Sequence, residues 1–264
     1  MVGRVLRILA PNPGPFTLEG TNTWIVGADP AIVIDPGPSV LPHLEAVIDA
    51  AGPIGAILLT HHHLDHAPGA AWLAAHAGAP VLAARPELGE REVVDGAVIE
   101  AGGVSLRVVE TPGHAPDHLA FLAEHDGWLF TGDAVLGRGT SVVDPPEGDM
   151  AAYLRSLEAL RGLRPRRLYP GHGPVVEGAL EWLDEYLEHR RMRERQVVDG
   201  LRRTTDPRSP AEIASEIYAG YPDDLLPAAA RSVLAHLRKL QDEGIVTEIH
   251  QRFALAGPRG SSTT

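Results

Sequence analysis

The segment THHHLDHAPG, residues 60–69, decides how the rest of this chain is interpreted. It follows the apolar run AILL and precedes an alanine-rich stretch, which predicts a strand, a loop and then a helix. Because side chains alternate along an extended chain, His61 and His63 are expected to point the same way. Asp65 and His66 come where the chain turns into the helix. Imidazole nitrogen and carboxylate oxygen are good zinc ligands, so this loop can supply parts of two neighbouring metal sites.

Three more potential ligands follow later predicted strands. They are His114 in TPGHAPDH, Asp133 in FTGD and His172 in YPGHGP. Each stands beside a glycine, which lets the backbone bend sharply toward a ligand. Ligands from strand ends converge on one edge of an α/β layered fold. The spacing therefore predicts one metal centre built from His61, His63, Asp65, His66, His114, Asp133 and His172.

Strand-like and helix-like patterns alternate over the first part of the chain, which predicts an α/β layered domain. Apolar runs of period two predict strands at 23–26, 31–35, 56–60, 104–110, 118–123 and 128–131. Helices are predicted at 41–51, 67–77 and 150–160. The domain is expected to occupy residues 1–178.

The texture of the sequence changes near Gly178. Residues 179–203 read as one long connecting helix, acidic first and rich in arginine at its end, an order that complements the helix dipole. Residues 204–256 show two helical patterns, at 211–218 and 228–243, and then two strand-like runs, at 245–249 and 252–255. This order resembles a small winged-helix module. The tail 257–264 is predicted to be disordered.

The complete ligand pattern resembles the metallo-beta-lactamase superfamily over about residues 1–178. The resemblance implies an αββα sandwich with two divalent metal ions, most typically zinc, at one edge. It assigns the first metal to His61, His63 and His114, the second to Asp65, His66 and His172, and Asp133 to both. Two such metals generate a hydroxide nucleophile from bound water, and Asp65 would orient it or take its proton. Asp117 and His118, near His114, are candidate partners that orient the ligands.

Aspartate at the position of Asp133 is absent from true class B beta-lactamases, so the resemblance implies a phosphoesterase or thioesterase instead. The segment NPGPFTLEGTNTWIVG, residues 12–27, and the C-terminal part resemble the beta-lactamase-like protein 2 group. That group implies first an endoribonuclease acting on single-stranded RNA and, as the alternative, a thioesterase that releases polyketides. Glyoxalase II-like ester hydrolysis is a more distant alternative, and a non-enzymatic interaction protein is the least favoured.

The distribution of charge along the chain only partly distinguishes between an RNA and a thioester substrate. Residues 1–150 carry 6 basic and 19 acidic side chains, which would repel RNA, whereas residues 155–203 carry 11 basic and 8 acidic ones. Residues 204–255, with 5 basic and 8 acidic side chains, are too acidic for duplex DNA. An acyl thioester meets no such repulsion. For it, the loop 137–150 would line the pocket, with hydroxyls from Thr140 or Ser141, and Asn22 is added by family resemblance alone.

The remaining expectations concern location and assembly. The chain of 264 residues has no cysteine, which excludes disulfides and thiolate metal sites and fits a cytoplasmic protein. No stretch has the character of a signal peptide, and the uncharged run 67–84 is interrupted by glycine and proline, so no membrane association is expected. The C-terminal module is interpreted as a lid, a channel wall or a dimerisation element, which leaves a homodimer open.

Overall fold

The computed structural model describes residues 4–89, 91–220, 222 and 225–256, so the tail 257–264 lies outside the described residues. The first half of the chain forms a six-stranded sheet in which the strands lie in chain order. They are β1 (Val5–Leu9), β2 (Asn22–Val26), β3 (Ala31–Ile34), β4 (Ile54–Leu58), β5 (Val81–Ala83) and β6 (Arg91–Glu92). The strands β1 to β3 are antiparallel, and β3 to β6 are parallel. Helices α1 (Leu41–Ala51) and α2 (Gly69–Ala77) connect the parallel strands.

A second sheet of five strands follows in the order β11-β10-β9-β8-β7. Its strands are β7 (Val98–Ala101), β8 (Val104–Glu110), β9 (Leu119–Ala123), β10 (Trp128–Gly132) and β11 (Arg167–Pro170). All neighbours are antiparallel except β10 and β11, which are parallel and are joined through helix α3 (Met150–Gly162). A parallel pair needs such a crossover because the chain must return to the same end of the sheet.

The two sheets pack face to face, and helices cover both outer faces. Ile32 and Leu58 of the first sheet share one buried core with Val108 and Phe121 of the second. The outer face of the first sheet packs against α1 and α2. The outer face of the second packs against α3 and the next helix. Strands covered on both faces are apolar throughout, as in β3. The predicted αββα sandwich is confirmed.

The C-terminal part contains three helices and a hairpin. They are α4 (Ala179–Arg202), α5 (Pro210–Ile217), α6 (Leu226–Asp242), β12 (Val246–Ile249) and β13 (Arg252–Leu255). A capping box starts α5, in which Ser209 and Glu212 satisfy each other's backbone donors. Val197, Ile213 and Phe253 belong to a separate small core. The winged-helix-like order is confirmed, whereas the domain limits at 178, 203 and 256 stay predictions, because α4 contributes to two cores.

Among the described residues, no helix has both the length and the apolar composition that a membrane span requires.

Candidate metal centre

The seven predicted ligands meet at one edge of the sandwich, on the loops that follow β4, β8, β10 and β11. The donor atoms form two groups, within each of which they lie no more than 4.8 Å apart. One group comprises His61, His63 and His114, and the other comprises Asp65, His66, Asp133 and His172. A backbone hydrogen bond from Leu119 to Thr60, at 2.7 Å, joins the two sheets beside this edge. The structure thus gathers residues that are up to 111 positions apart in the chain (61 to 172).

The spacing of the donor atoms fits ligands arranged around a cation. His63 Nδ1 lies 3.1 Å from His114 Nε2, and His66 Nε2 lies 3.3 Å from His172 Nε2. Asp65 Oδ2 lies 3.1 Å from His172 Nε2. Ligand bonds of about 2.0–2.2 Å in a tetrahedral site place neighbouring donor atoms about 3.3–3.6 Å apart. The observed distances are therefore close to those expected of atoms that share a metal.

Asp133 lies between the two groups. Its Oδ1 is 3.4 Å from His66 Nε2, and its Oδ2 is 3.4 Å from His172 Nε2 and 3.7 Å from His114 Nε2. The carboxylate therefore reaches one ligand of the first group and two of the second, as a bridging ligand must. Gly171 makes room for it, because a Cβ added there would stand 2.5 Å from Asp133 Oδ1. This close approach explains why glycine precedes His172.

The hydrogen bonds of His61 leave its second ring nitrogen free for a metal. The Thr60 hydroxyl donates to Asp35 Oδ2 at 2.7 Å, so it accepts the proton of His61 Nδ1 at 2.9 Å. His61 Nε2 then carries the lone pair. It is buried and has no hydrogen-bond partner, as is also true of Asp133 Oδ1. Buried polar atoms are normally satisfied, so these two unpartnered atoms are explained by a cation.

Asp35 orients a second ligand and was not predicted from the sequence. Its Oδ2 accepts from His66 Nδ1 at 2.8 Å, and its Oδ1 accepts from the Thr60 backbone N–H at 2.8 Å. A carboxylate behind a ligating histidine holds the ring and raises its basicity. The available signal was the position of Asp35, which follows a buried strand and precedes a Pro-Gly turn, like the recognised ligands.

Backbone carbonyls orient two more histidines. His114 Nδ1 donates to the Val142 carbonyl at 2.6 Å, and His172 Nδ1 donates to the Gly20 carbonyl at 3.1 Å. Both rings therefore direct Nε2 into the centre. Asn22, predicted to face substrate, is instead fully buried beneath this loop, where its Nδ2 donates to the carbonyls of Pro170 and Gly173, each at 2.9 Å. It positions the loop that carries His172.

Of the two residues predicted to orient ligands, His118 contacts a predicted ligand and Asp117 does not. His118 Nε2 accepts from the Asp133 backbone N–H at 3.1 Å, and its Nδ1 lies 2.7 Å from the Thr111 hydroxyl. Asp117 does not contact His114. It binds His62 Nδ1 at 2.7 Å, and His62 Nε2 lies 3.4 Å from Glu147. His62 and Glu147 were missed because neither falls in the spacing of the ligand pattern.

Opposite charges concentrate at the second group. Burial by itself would raise the pKa of Asp133, but the neighbouring His172 and His66 lower it to well below its usual value. Burial lowers the pKa of His66, but Asp133 and Asp35 take it well above its usual value. In the same way Asp133 and Asp65 outweigh burial and raise the pKa of His172 to about 9. By contrast, burial and the neighbouring His66 hold the pKa of His61 well below its usual value. A metal ion would take the place of the protons held at this group.

A cleft of about 610 Å³ opens onto both groups of ligands. It is lined by four ligands, His63, Asp65, His114 and Asp133, and by Phe16, Leu136, Ser141, Val142, Asp144, Pro145, Pro146, Glu147 and Arg231. Ser141 was predicted here, but its hydroxyl donates to the Asp133 carbonyl. Thr140 is outside the lining. The loop that follows β10 nevertheless contributes Ser141, Val142 and residues 144–147 to the lining, so it forms one wall of the cleft, as predicted.

Comparison with known proteins agrees with this geometry. Residues 16–91 and 82–172 match the family described as Metallo-beta-lactamase superfamily. This chain belongs to the metallo-beta-lactamase superfamily. Residues 209–253 match the Beta-lactamase associated winged helix domain, which confirms the interpretation of the C-terminal part. The resemblance inferred from the ligand pattern is thus confirmed.

Relatives of this superfamily member are similar over most of their length. A Beta-lactamase-like protein 2 homolog from Caenorhabditis elegans is 34% identical over 261 residues, covering 93% of this chain and 87% of the relative. An Atrochrysone carboxyl ACP thioesterase from Aspergillus chevalieri is 35% identical over 236 residues, covering 84% and 75% respectively. A solved metallo-beta-lactamase family protein from Thermus thermophilus superposes with a TM-score of 0.80 at 23% identity, covering 95% of this chain and 98% of that one.

The chain is accordingly a hydrolase of the metallo-beta-lactamase fold with a set of His and Asp residues that could hold metal ions. Another solved structure, with a TM-score of 0.54 and 30% identity over 67% of this chain and 96% of that one, is described in a di-iron-bound form. Histidine and carboxylate ligands suit zinc, iron and manganese alike. The clusters therefore favour divalent metal binding, whereas the number of ions and zinc as their identity stay predictions.

Proposed function

We propose that this protein is a metal-dependent hydrolase of acyl thioesters or related carboxylic esters. The cleft carries this proposal. Beside the metal ligands, its wall is formed by apolar side chains, among them Phe16, Leu136 and Val142. A neutral acyl chain would gain from contact with such a surface, at about 25 cal/mol per Å² of apolar area removed from water.

The charges along the cleft disfavour a nucleic acid. Beyond the ligands, its charged residues are Asp144, Glu147 and Arg231. Arg231 already donates to the Asp144 carboxylate and the Pro145 carbonyl, so it is not free to neutralise a phosphate. Proteins that bind nucleic acids match phosphates with lysine and arginine. The relative named Atrochrysone carboxyl ACP thioesterase supports the same choice.

The chain's own residues divide the work of hydrolysis. His61, His63 and His114 would hold one metal, Asp65, His66 and His172 the other, and Asp133 both. Bound metals supply a hydroxide nucleophile at neutral pH and polarise the attacked carbonyl. Asp65 lines the cleft with 26% of its side chain exposed, so its carboxylate can take a proton from the attacking water. The apolar wall would hold the acyl chain so that its carbonyl faces the ligands.

A substrate panel tests the proposal. The protein is stripped with a chelator, reloaded with Zn²⁺, Mn²⁺ or Fe²⁺, and incubated with N-acetylcysteamine thioesters from acetyl to dodecanoyl. A single-stranded RNA and a cephalosporin serve as the other arms. We expect metal-dependent release of thiol that increases with acyl length. Metal-dependent cleavage of the RNA without thioester turnover would replace the proposal with the endoribonuclease alternative.

A further inference from the structure

Arg190, in the middle of α4, is a buried cation without a carboxylate partner. Its side chain is only 2% exposed, and none of the ion pairs among the described residues involves it. Its Nε also lacks a hydrogen-bond partner. Burying a guanidinium is unfavourable unless its charge is paired or hydrogen-bonded, so the burial of Arg190 needs a physical explanation.

The guanidinium is directed at the wall of the metal centre. Its Nη2 donates to the Ser141 carbonyl, and its carbon lies 5.1 Å from the centre of the Tyr153 ring. This stacking suits the flat guanidinium, which is weakly hydrated and interacts well with aromatic faces. The guanidinium of Arg190 thus contacts a backbone carbonyl and an aromatic side chain.

The carbonyl that Arg190 holds belongs to a segment in contact with two metal ligands. The Ser141 hydroxyl donates to the Asp133 carbonyl and lies 3.3 Å from His114 Nδ1. The next residue, Val142, accepts the His114 Nδ1 proton at 2.6 Å. A shift of this segment would therefore move the backbone of the bridging aspartate and rotate a histidine ring.

Other helix side chains hold the beginning of the same loop. The Tyr153 hydroxyl donates to the Ala134 carbonyl at 2.7 Å. The Tyr186 hydroxyl accepts from the Leu136 backbone N–H at 2.8 Å, and Trp182 Nε1 donates to the Leu136 carbonyl at 2.8 Å. Arg190 adds a contact at the middle of the loop, at Ser141, and it is the charged member of this group.

We propose that Arg190 is a positioning residue of the metal centre: by holding Ser141 and Val142 in place, it orients Asp133 and His114 toward the metals. This role does not depend on which substrate is cleaved. Ligand orientation by an outer contact changes metal affinity by about 10- to 100-fold when the contact is lost. The connecting helix would thus belong to the active centre and not only join two cores.

The test compares Arg190→Met with Arg190→Lys. Arg191→Met is the matched control, because Arg191 is an exposed neighbour that pairs with Glu158 at 3.0 Å. Metal affinity is measured by competition with a chromogenic chelator, and ligand geometry by the visible absorption spectrum of the Co²⁺-loaded protein. We expect Arg190→Met to bind metal about 10- to 100-fold more weakly with an altered Co²⁺ spectrum. The lysine variant should recover part of both, and the control should match wild type.

A merely structural role would give a different result. It would lower the melting temperature but leave the affinity and Co²⁺ spectrum of the folded protein unchanged, and that outcome for Arg190→Met overturns the proposal. If Arg190→Met does not fold, Arg190→Lys decides: unchanged affinity together with an unchanged spectrum would reject the positioning role.

Discussion

Replacing Asp35 with asparagine should weaken metal binding, although Asp35 is not itself one of the predicted ligands. Three donors converge on its carboxylate: His66 Nδ1 at 2.8 Å, the Thr60 backbone N–H at 2.8 Å and the Thr60 hydroxyl at 2.7 Å. The first and third share Oδ2, and the second uses Oδ1. An asparagine amide has an NH₂ group in place of one carboxylate oxygen. In either orientation this NH₂ group faces at least one of the three donors and cannot accept a hydrogen bond from it.

The size of the effect follows from these bonds. The better orientation loses the bond from the Thr60 backbone, and a hydrogen bond to a charged group contributes about 1.5–3 kcal/mol. Stability of the metal-free protein should fall by about that amount. Weaker support of His66 should reduce metal affinity by about 10- to 100-fold, equivalent to about 1.4–2.7 kcal/mol. Burial lowers the pKa of His66, whereas the charges of Asp133 and Asp35 raise it. The variant therefore loses less affinity at low pH, where wild type must release a proton from His66.

The assay is chelator competition at several pH values, accompanied by chemical denaturation of the metal-free proteins. Asp49→Asn is the control, because Asp49 is an exposed aspartate on α1. The reasoning is refuted if Asp35→Asn binds metal as tightly as wild type at every pH. A loss of stability without a loss of affinity would show that Asp35 supports the fold but not the ligand.

Three further results are expected. Asp133→Ala should lose metal and activity together, because its carboxylate reaches ligands of both groups; two metals retained per chain, counted by elemental analysis, would disprove its bridging role. Metal loading near neutral pH should release protons, because Asp133 and Asp65 outweigh burial and raise the His172 pKa to about 9. Affinity should then increase with pH and level off above about 9, and calorimetry in buffers of different ionisation enthalpy would detect the protons; pH-independent affinity would contradict this. Phe16→Ala should lower kcat/KM about tenfold for long acyl thioesters, as expected for about 1.4 kcal/mol of lost apolar contact, and leave the acetyl substrate unaffected. An equal loss for both substrates would place Phe16 outside the acyl site.

Two of the strands that escaped sequence prediction, β6 and β1, share one physical cause. β6 has only two residues, both exposed, and β1 is partly exposed at every position. Neither shows the alternation of apolar side chains that a strand produces when one face is buried. The long helix α4 and the strand β8 have strong patterns and were predicted to within a residue.

The seven candidate ligands were predicted from the sequence alone, and the structure brings them together. Each lies in a short motif after a strand, where a turn of glycine or proline and a polar side chain are visible without any partner. Local geometry is enough there, since the strand sets the direction of the chain and the turn sets where it stops. The αββα fold and the winged-helix-like end followed in the same way, from periodicity and from resemblance.

Only the tertiary structure decided what surrounds those ligands. Asp35 lies 31 positions from His66, and Arg190 lies 49 positions from Ser141, so no local pattern connects them. The walls of the cleft come from the N-terminal loop, the loop that follows β10 and α6, which meet only after the sheets have packed. The ligands can be recognised together from the sequence, because each lies in a short local motif and offers its own donor atom. The orientation and pKa of a ligand, and the substrate that the cleft prefers, depend on contacts between residues that are distant in the sequence. Those contacts exist only in the folded chain.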